Sequence, residues 1–468
     1  MKRFLVAILV FAMILSITAM AEGLPVPNNK EGDTVAGFDQ DFLCFIHAQN
    51  EKENYVVSPL SFRAALILAV EGADASTRAQ LLSAMGFASE EDMTQWYAAV
   101  RESVDFFDAW VSRQKQIAEE DAQFYPPGEA PEVPVHAYQV LNSVWNNTDR
   151  FGEFLPEYKR SVADRYGATT DSVSAGHITD AVNHWCDEAT SGLIPKISDV
   201  LSGCAAALVN AVYLKSSWVN EFSEYMTEPE DFTDIDGTVT RRDMMKAKDR
   251  YRFFENGQTK LISIPLNGGL AFVAVLGDDS DWLADYDAAE YTDVDLWIPK
   301  LDTESSFGRE ALVQYLMDRG AVDAFDVDTA DFSRMADYPW FISDILQKAK
   351  IKTDEEGLEA AAVTMVRGHS SSYYSVMLEV EYTNEQGAPE TTAVQFGSTH
   401  PNSLPKVSDQ LQVSCGLTGM VTHPNRDLIG VGGGAAGIGG LFLILLLLTM
   451  WRDRKRVRSP SHKAERNS

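Results

Sequence analysis

Asp354-Glu355-Glu356-Gly357, followed by Leu358-Glu359-Ala360-Ala361-Ala362, joins a turn signal to a run of small side chains. Gly357 frees the backbone, and Ala360 to Ala362 can slip into a narrow gap between strands at little steric cost. Read alone, the same run also fits an Ala-rich helix end, because Ala is the best helix former. Patterns for covalent or metal chemistry are missing. The chain has no HExxH and no GxSxG, and its His, Asp and Glu residues form no close group with ligand spacing. Cys44, Cys186, Cys204 and Cys415 match neither a disulfide framework nor a zinc site. No catalytic residue, metal or cofactor is therefore expected. Gly432 to Gly437 fits the GxGxxG pattern, but no strand precedes it and its apolar surroundings are the wrong solvent for a pyrophosphate.

Several elements must position the run after Gly357. Asp41 to Ile46 and Ser61 to Ala69 carry helical apolar spacing, with Ser58 as cap and Pro59 in the first turn of the second helix. Asn183 to Ile194 reads as another helix, closed by Gly192. Ala205 to Leu214 and Leu270 to Leu276 are near-continuous apolar runs that suit strands covered on both faces. Helices come early and strands mostly later, which predicts an α+β fold. Tyr125 to Pro131 reads as a surface loop, and Cys44 and Cys186 as buried thiols.

The formal net charge of −30 argues against a nucleic-acid partner. An acidic surface favours solubility and can steer basic partners. Both ends differ from the body. Lys2-Arg3, the apolar run Phe4 to Ile17 and Ala19-Met20-Ala21 have the layout of a signal peptide over residues 1–21. Residues 428–451 carry no charge and are followed by Arg452-Asp453-Arg454-Lys455-Arg456. At ~1.5 Å per residue they are long enough for a hydrocarbon core of about 30 Å. This predicts a single-pass transmembrane helix at the cell membrane, an extracellular body and a basic cytoplasmic tail over 452–468. Gly433 and Gly437 form a GxxxG pair that would seat two such helices as a dimer. Residues 22–382 then form the folded body, and 383–427 a stalk or divergent segment.

A resemblance emerges from the ordered motifs. Asn54-Tyr55-Val56-Val57-Ser58-Pro59-Leu60-Ser61 is similar to the start of the buried helix of the serpin family. Val182-Asn183, Trp185, Thr190 and Gly192-Leu193-Ile194 resemble its motif before the third strand of the main sheet. Leu208-Val209-Asn210-Ala211-Val212-Tyr213, then Trp218 and Phe222, resemble that strand and its exit. Glu355, Gly357, Leu358, Glu359 and Ala360 to Ala362 resemble the serpin hinge. The matches follow family order over roughly residues 38–382.

The resemblance implies a three-sheet, helix-covered fold with an exposed reactive loop held in a metastable state. A target serine (or cysteine) protease cleaves the loop and becomes acylated through its own nucleophile. The loop then inserts into the main sheet as a new strand and distorts the enzyme, so the chain is a suicide-substrate inhibitor and not itself an enzyme. Ser58, Ser61 and Asn210 match the family's polar cluster beneath the opening strands. Gln347 stands where the family usually has His, and its amide can both donate and accept. Trp218 matches the aromatic where insertion begins. Plain core packing is the blander reading of all of these. Counting along the loop as the family does places the reactive bond at Ser371-Ser372. A small residue there suits an elastase-like or subtilisin-like protease, whereas Tyr373 or Tyr374 would suit a chymotrypsin-like one.

Two departures stand out. Leu358 replaces the usual Thr, and its volume is expected to slow the first step of insertion. Val380-Glu381-Tyr382 resembles the strand after the loop, but the apolar hairpin that normally completes the fold is not recognisable. These departures favour the alternative of a non-inhibitory binding or adhesion module on the same fold. A membrane-anchored hydrolase has no supporting pattern.

Overall fold

The computed structural model describes residues 34–370, apart from 51–53, 127–128, 131–132, 151, 235–236, 258 and 277–281, and the segments 375–383, 389–397 and 443–446. The helix Pro59–Gly72 forms the centre of the core. Ser58 caps it by accepting a hydrogen bond from the Ser61 N–H at 3.1 Å, and Pro59 occupies the first turn, where its missing N–H costs nothing. Residues 61–72 are all buried, including Arg63, which pairs with Asp39, and Glu71, which pairs with Arg165.

The strands are β1 (Ala137–Asn147), β2 (Thr169–Val173), β3 (Ala206–Ser217), β4 (Glu228–Thr233), β5 (Val239–Glu255), β6 (Lys260–Leu266) and β7 (Leu270–Leu276). They continue with β8 (Glu290–Pro299), β9 (Leu301–Phe307), β10 (Trp340–Thr353), β11 (Gly357–Ser370), β12 (Ser375–Thr383), β13 (Pro389–Gly397) and β14 (Leu443–Leu446). The main sheet has the order β2-β1-β3-β11-β10-β9 and is antiparallel except for the β1–β2 pair. A second sheet runs β14-β7-β6-β5-β4, with β8 also on β5, and β12 pairs with β13. The helix Pro59–Gly72 packs behind β3 and β11, and the helix Ile178–Ala189 covers the opposite face of the main sheet.

The α+β reading agrees with this architecture, and both expected apolar strands are present as β3 and β7. The helix read at 183–194 begins earlier, at Ile178, and ends at Ala189. Ser191 and Gly192 follow with positive φ, and the Thr190 hydroxyl accepts from the Ile194 N–H. Cys44 is exposed rather than buried, because it falls on the outer face of Thr34–Gln49, while Cys186 and Cys204 are buried free thiols.

The membrane reading is corrected. No helix among the described residues is long and apolar enough to cross a membrane. Leu443–Leu446, inside the expected span 428–451, is not helical but runs as β14 parallel to β7. An apolar run cannot by its hydropathy alone tell a membrane helix from a buried strand, and the open edge of β7 supplies a partner. The transmembrane helix, its GxxxG dimer, the membrane partner and the extracellular-body, cytoplasmic-tail arrangement are all set aside with it. Residues 1–21, 432–437, 447–468 and Cys415 lie outside the described residues. Within the segment read as a stalk, Pro389–Gly397 forms β13.

Candidate functional site

β10 turns into β11 through Asp354–Gly357. The Asp354 carboxylate accepts from the Glu356 and Gly357 N–H groups, each at 3.0 Å, and the Asp354 N–H donates to the Gly357 carbonyl at 3.1 Å. From there β11 is paired on both sides, with β10 from Leu358 to Ser370 and with β3 from Gly357 to Gly368. Residues expected as a hinge and exposed loop are thus the central strand of the main sheet. Gly357 serves a different purpose from the one expected. A Cβ there would run into the Ser216 carbonyl oxygen, so close approach to β3, rather than torsional freedom, demands glycine.

Side chains along β11 alternate between two buried environments, as a pleated strand requires. Leu358, Ala360 and Ala362 join an apolar cluster with Trp218, Met245 and Phe272. Ala361, Val363 and Met365 pack beneath the helix Ile178–Ala189 with Val182 and Cys186. Leu358 is 2% exposed, so the bulk that departs from the family pattern is seated within β11. On the other face the Glu359 carboxylate accepts from the Tyr213 hydroxyl at 2.6 Å and lies 3.8 Å from Lys215 Nζ.

The turn is clamped from outside. Trp218 is buried edge-on to Phe222 and Phe272, its indole N–H donates to the Asp354 carbonyl at 2.8 Å, and its backbone N–H donates to the Glu356 carbonyl. Glu355 pairs with Lys300 at 2.7 Å. Burial pushes the Glu355 carboxyl up, but hydrogen bonds from Lys300 and Thr227 outweigh it and hold the group below its usual range.

Behind the sheet, Ser58, Ser61 and Gln347 come together around a residue the motifs do not include, Thr364. Gln347 accepts from the Ser58 N–H at 2.8 Å, and its amide nitrogen donates to the Thr364 hydroxyl at 2.7 Å and the Ser58 carbonyl at 3.0 Å. The Ser61 and Thr364 hydroxyls lie 2.9 Å apart. Asn210 sits on the same row across the sheet, opposite Thr364, but its amide turns the other way, to Asn142 at 3.0 Å and the Leu141 carbonyl. A lone polar side chain on the otherwise apolar series 358, 360, 362, 364, 366 was the readable signal for Thr364.

The far end of β11 carries further residues that motif reading missed. Arg367 forms an ion pair with Asp344 on β10, and a Cβ at Gly368 would overlap the Trp340 ring. Ser371 and Ser372, the expected reactive bond, lie outside the described residues. His369 is largely buried, and its pKa falls to about 4. Burial is the main cause, Arg367 and Arg150 add to it, and Asp344 opposes them. An exposed His titrates near 6.5, so the state with β11 in the sheet binds fewer protons. Its stability is therefore fully present above about pH 6.5 and drains away as pH falls toward 4, by up to about 3 kcal/mol. Thermal melts of the loop-cleaved protein should lose stability between pH 7 and 4 more steeply than melts of His369→Gln. Parallel slopes would remove His369 as the cause.

Comparison with known proteins fits this geometry. The serpin family model, described as serine protease inhibitor, matches residues 34–383. Leukocyte elastase inhibitor A of Mus musculus is 27% identical over 365 residues, spanning 70% of this chain and 86% of its own. The cleaved Serpin 42Da structure superposes with a TM-score of 0.57 at 22% identity, over 72% of this chain and 89% of that one. The thermophilic serpin tengpin in its latent state gives 0.58 at 24%, over 73% and 90%. With a match over well more than half its length, the chain belongs to the serpin family, whose members act as protease inhibitors rather than as catalytic enzymes.

Proposed function

We propose that this chain inhibits a protease by offering the segment beyond Gly357 as a substrate loop and taking the cut loop into the main sheet as β11. One observation carries the reading: Gly357–Ser370 is hydrogen-bonded to a strand on each side, with apolar side chains received on both faces. A strand that separates β3 from β10 and is held this completely has the form of the end state of an insertion. Ser58, Ser61, Gln347 and Thr364 would close the sheet around it, and Trp218 and Glu355 would fix the turn where insertion starts.

Ser371-Ser372 is the proposed reactive bond. Strand pairing with β10 runs to Ser370, so a cut after Ser371 leaves the whole of β11 on the acylated fragment. A cut after Arg367 would leave the last three strand residues on the other side. The small Ser371 side chain favours an elastase-like or subtilisin-like target over a chymotrypsin-like one, and the name of the mouse relative favours the elastase-like one.

The test is to mix the protein with one protease of each type and run the products on a denaturing gel. An adduct that survives boiling in detergent is expected, together with a released fragment whose N-terminus is Ser372. Complete cleavage with no adduct from any of the three would contradict inhibition.

A further inference from the structure

A cavity of about 680 Å³ lies beside the turn that β10 and β11 share, between the C-terminal half of the helix Glu90–Ala122, the chain leading into β1 and the segment after β3. Its volume is within the range of small-molecule sites, roughly 300–1,000 Å³. Trp110, Tyr125, His136 and Trp218 supply aromatic walls, and Asp121 and Glu221 supply carboxylates. No Lys or Arg is among the lining residues, and neither carboxylate has an ion-pair partner among the described residues. The His136 ring stacks edge-on to Trp110 at 5.0 Å. Its Nδ1 is buried with no hydrogen-bond partner among the described residues. Burial lowers the His136 pKa, so the ring adds no positive charge at neutral pH.

We propose that this cavity is a binding site for a small organic amine with an aromatic body. Aromatic faces attract both a flat apolar group and a cation, and two unpaired carboxylates without a neighbouring base select positive charge. An anion of the same shape meets repulsion from both carboxylates. The floor of the cavity includes Trp218, whose backbone and indole N–H groups bond the Asp354–Gly357 turn, so an occupant touches the segment that holds the turn.

The test is isothermal titration of the full chain with 4-phenylbutylamine, 4-phenylbutanol and 4-phenylbutyrate. The amine is expected to bind saturably and at least about 10-fold more tightly than the carboxylate. Exposed ion pairs of this kind are worth a few-fold each, so Asp121→Asn and Glu221→Gln should each weaken the amine about 3-fold and together about 10-fold. Binding of the alcohol should not change in these variants. Both substitutions keep side-chain shape at the surface, and an unchanged melting temperature verifies folding. Equal affinity for amine and carboxylate, an amine affinity untouched by the double substitution, or no saturable heat with the wild-type chain would each overturn the proposal.

Discussion

Ala360→Arg is expected to turn the inhibitor into a substrate: the loop is cut at the normal rate, but the adduct with the protease does not accumulate. Ala360 is 7% exposed and lies in the apolar cluster with Trp218, Leu358 and Phe272, opposite Leu214 of β3 and Ile351 of β10. An Arg there must carry its charge into that cluster or hold the sheet open. Burying an unpaired charge costs several kcal/mol, and about 3 kcal/mol on the insertion barrier slows that step roughly 100-fold. Hydrolysis of the acyl-enzyme does not depend on Ala360, so it wins the competition. The neighbouring position is the control. Glu359 faces the other way, toward Tyr213 and Lys215, and Glu359→Gln keeps an acceptor for the Tyr213 hydroxyl. Trapping by Glu359→Gln should stay within about 2-fold of wild type, because successive strand residues point to opposite faces. The readout is the molar ratio of inhibitor to protease that abolishes activity. A wild-type ratio for Ala360→Arg would mean that β11 does not form during inhibition.

The parts of the fold that were legible in the sequence are those whose apolar pattern leaves one solution. Ser61 to Ala69 carry helical apolar spacing behind Ser58-Pro59, so a capped helix was readable there before its neighbours were known. β3 was legible for the same reason. The run Leu443–Leu446 was not, because hydropathy over a long apolar stretch is shared by membrane helices and by strands seeking an edge. The nearest open edge, on β7, lies far away in sequence and leaves no local mark. Cys44 failed differently: its neighbours Leu43 and Ile46 are buried, and one step around the helix is enough to expose it.

The candidate site divides along the same line. The small residues Ala360 to Ala362 and the Asp354–Gly357 turn carry their geometry locally and were readable. Ser58, Ser61 and Gln347 were named, but the residue that joins them, Thr364, comes from β11 and depends on the register between β10 and β11. Arg367 with Asp344, and Gly368 under Trp340, depend on the register between β10 and β11, which no local pattern states. Leu358 was expected to obstruct insertion because of its volume. The cluster around Trp218 has room for it once β3 and β10 stand one strand apart.

Loop cleavage itself should produce the second large effect. Before the cut, Gly357–Ser370 is proposed to lie outside the sheet, and β3 and β10 must close on each other or remain strained. After it, Leu358, Val363, Met365 and Val366 are buried, each worth about 1.5–3 kcal/mol relative to exposure, and β11 gains strand partners on both sides. The freed fragment no longer ties the end of the strand down, so the chain settles into the arrangement described above. The most direct test of this account is the melting temperature of freshly folded, uncut protein compared with the same protein cleaved once at Ser371-Ser372. The cleaved form should melt on the order of tens of degrees higher, since stored strain is released and a central strand is added. If the two forms melt together, insertion supplies no driving force, and the account of this chain as a trapping inhibitor is wrong.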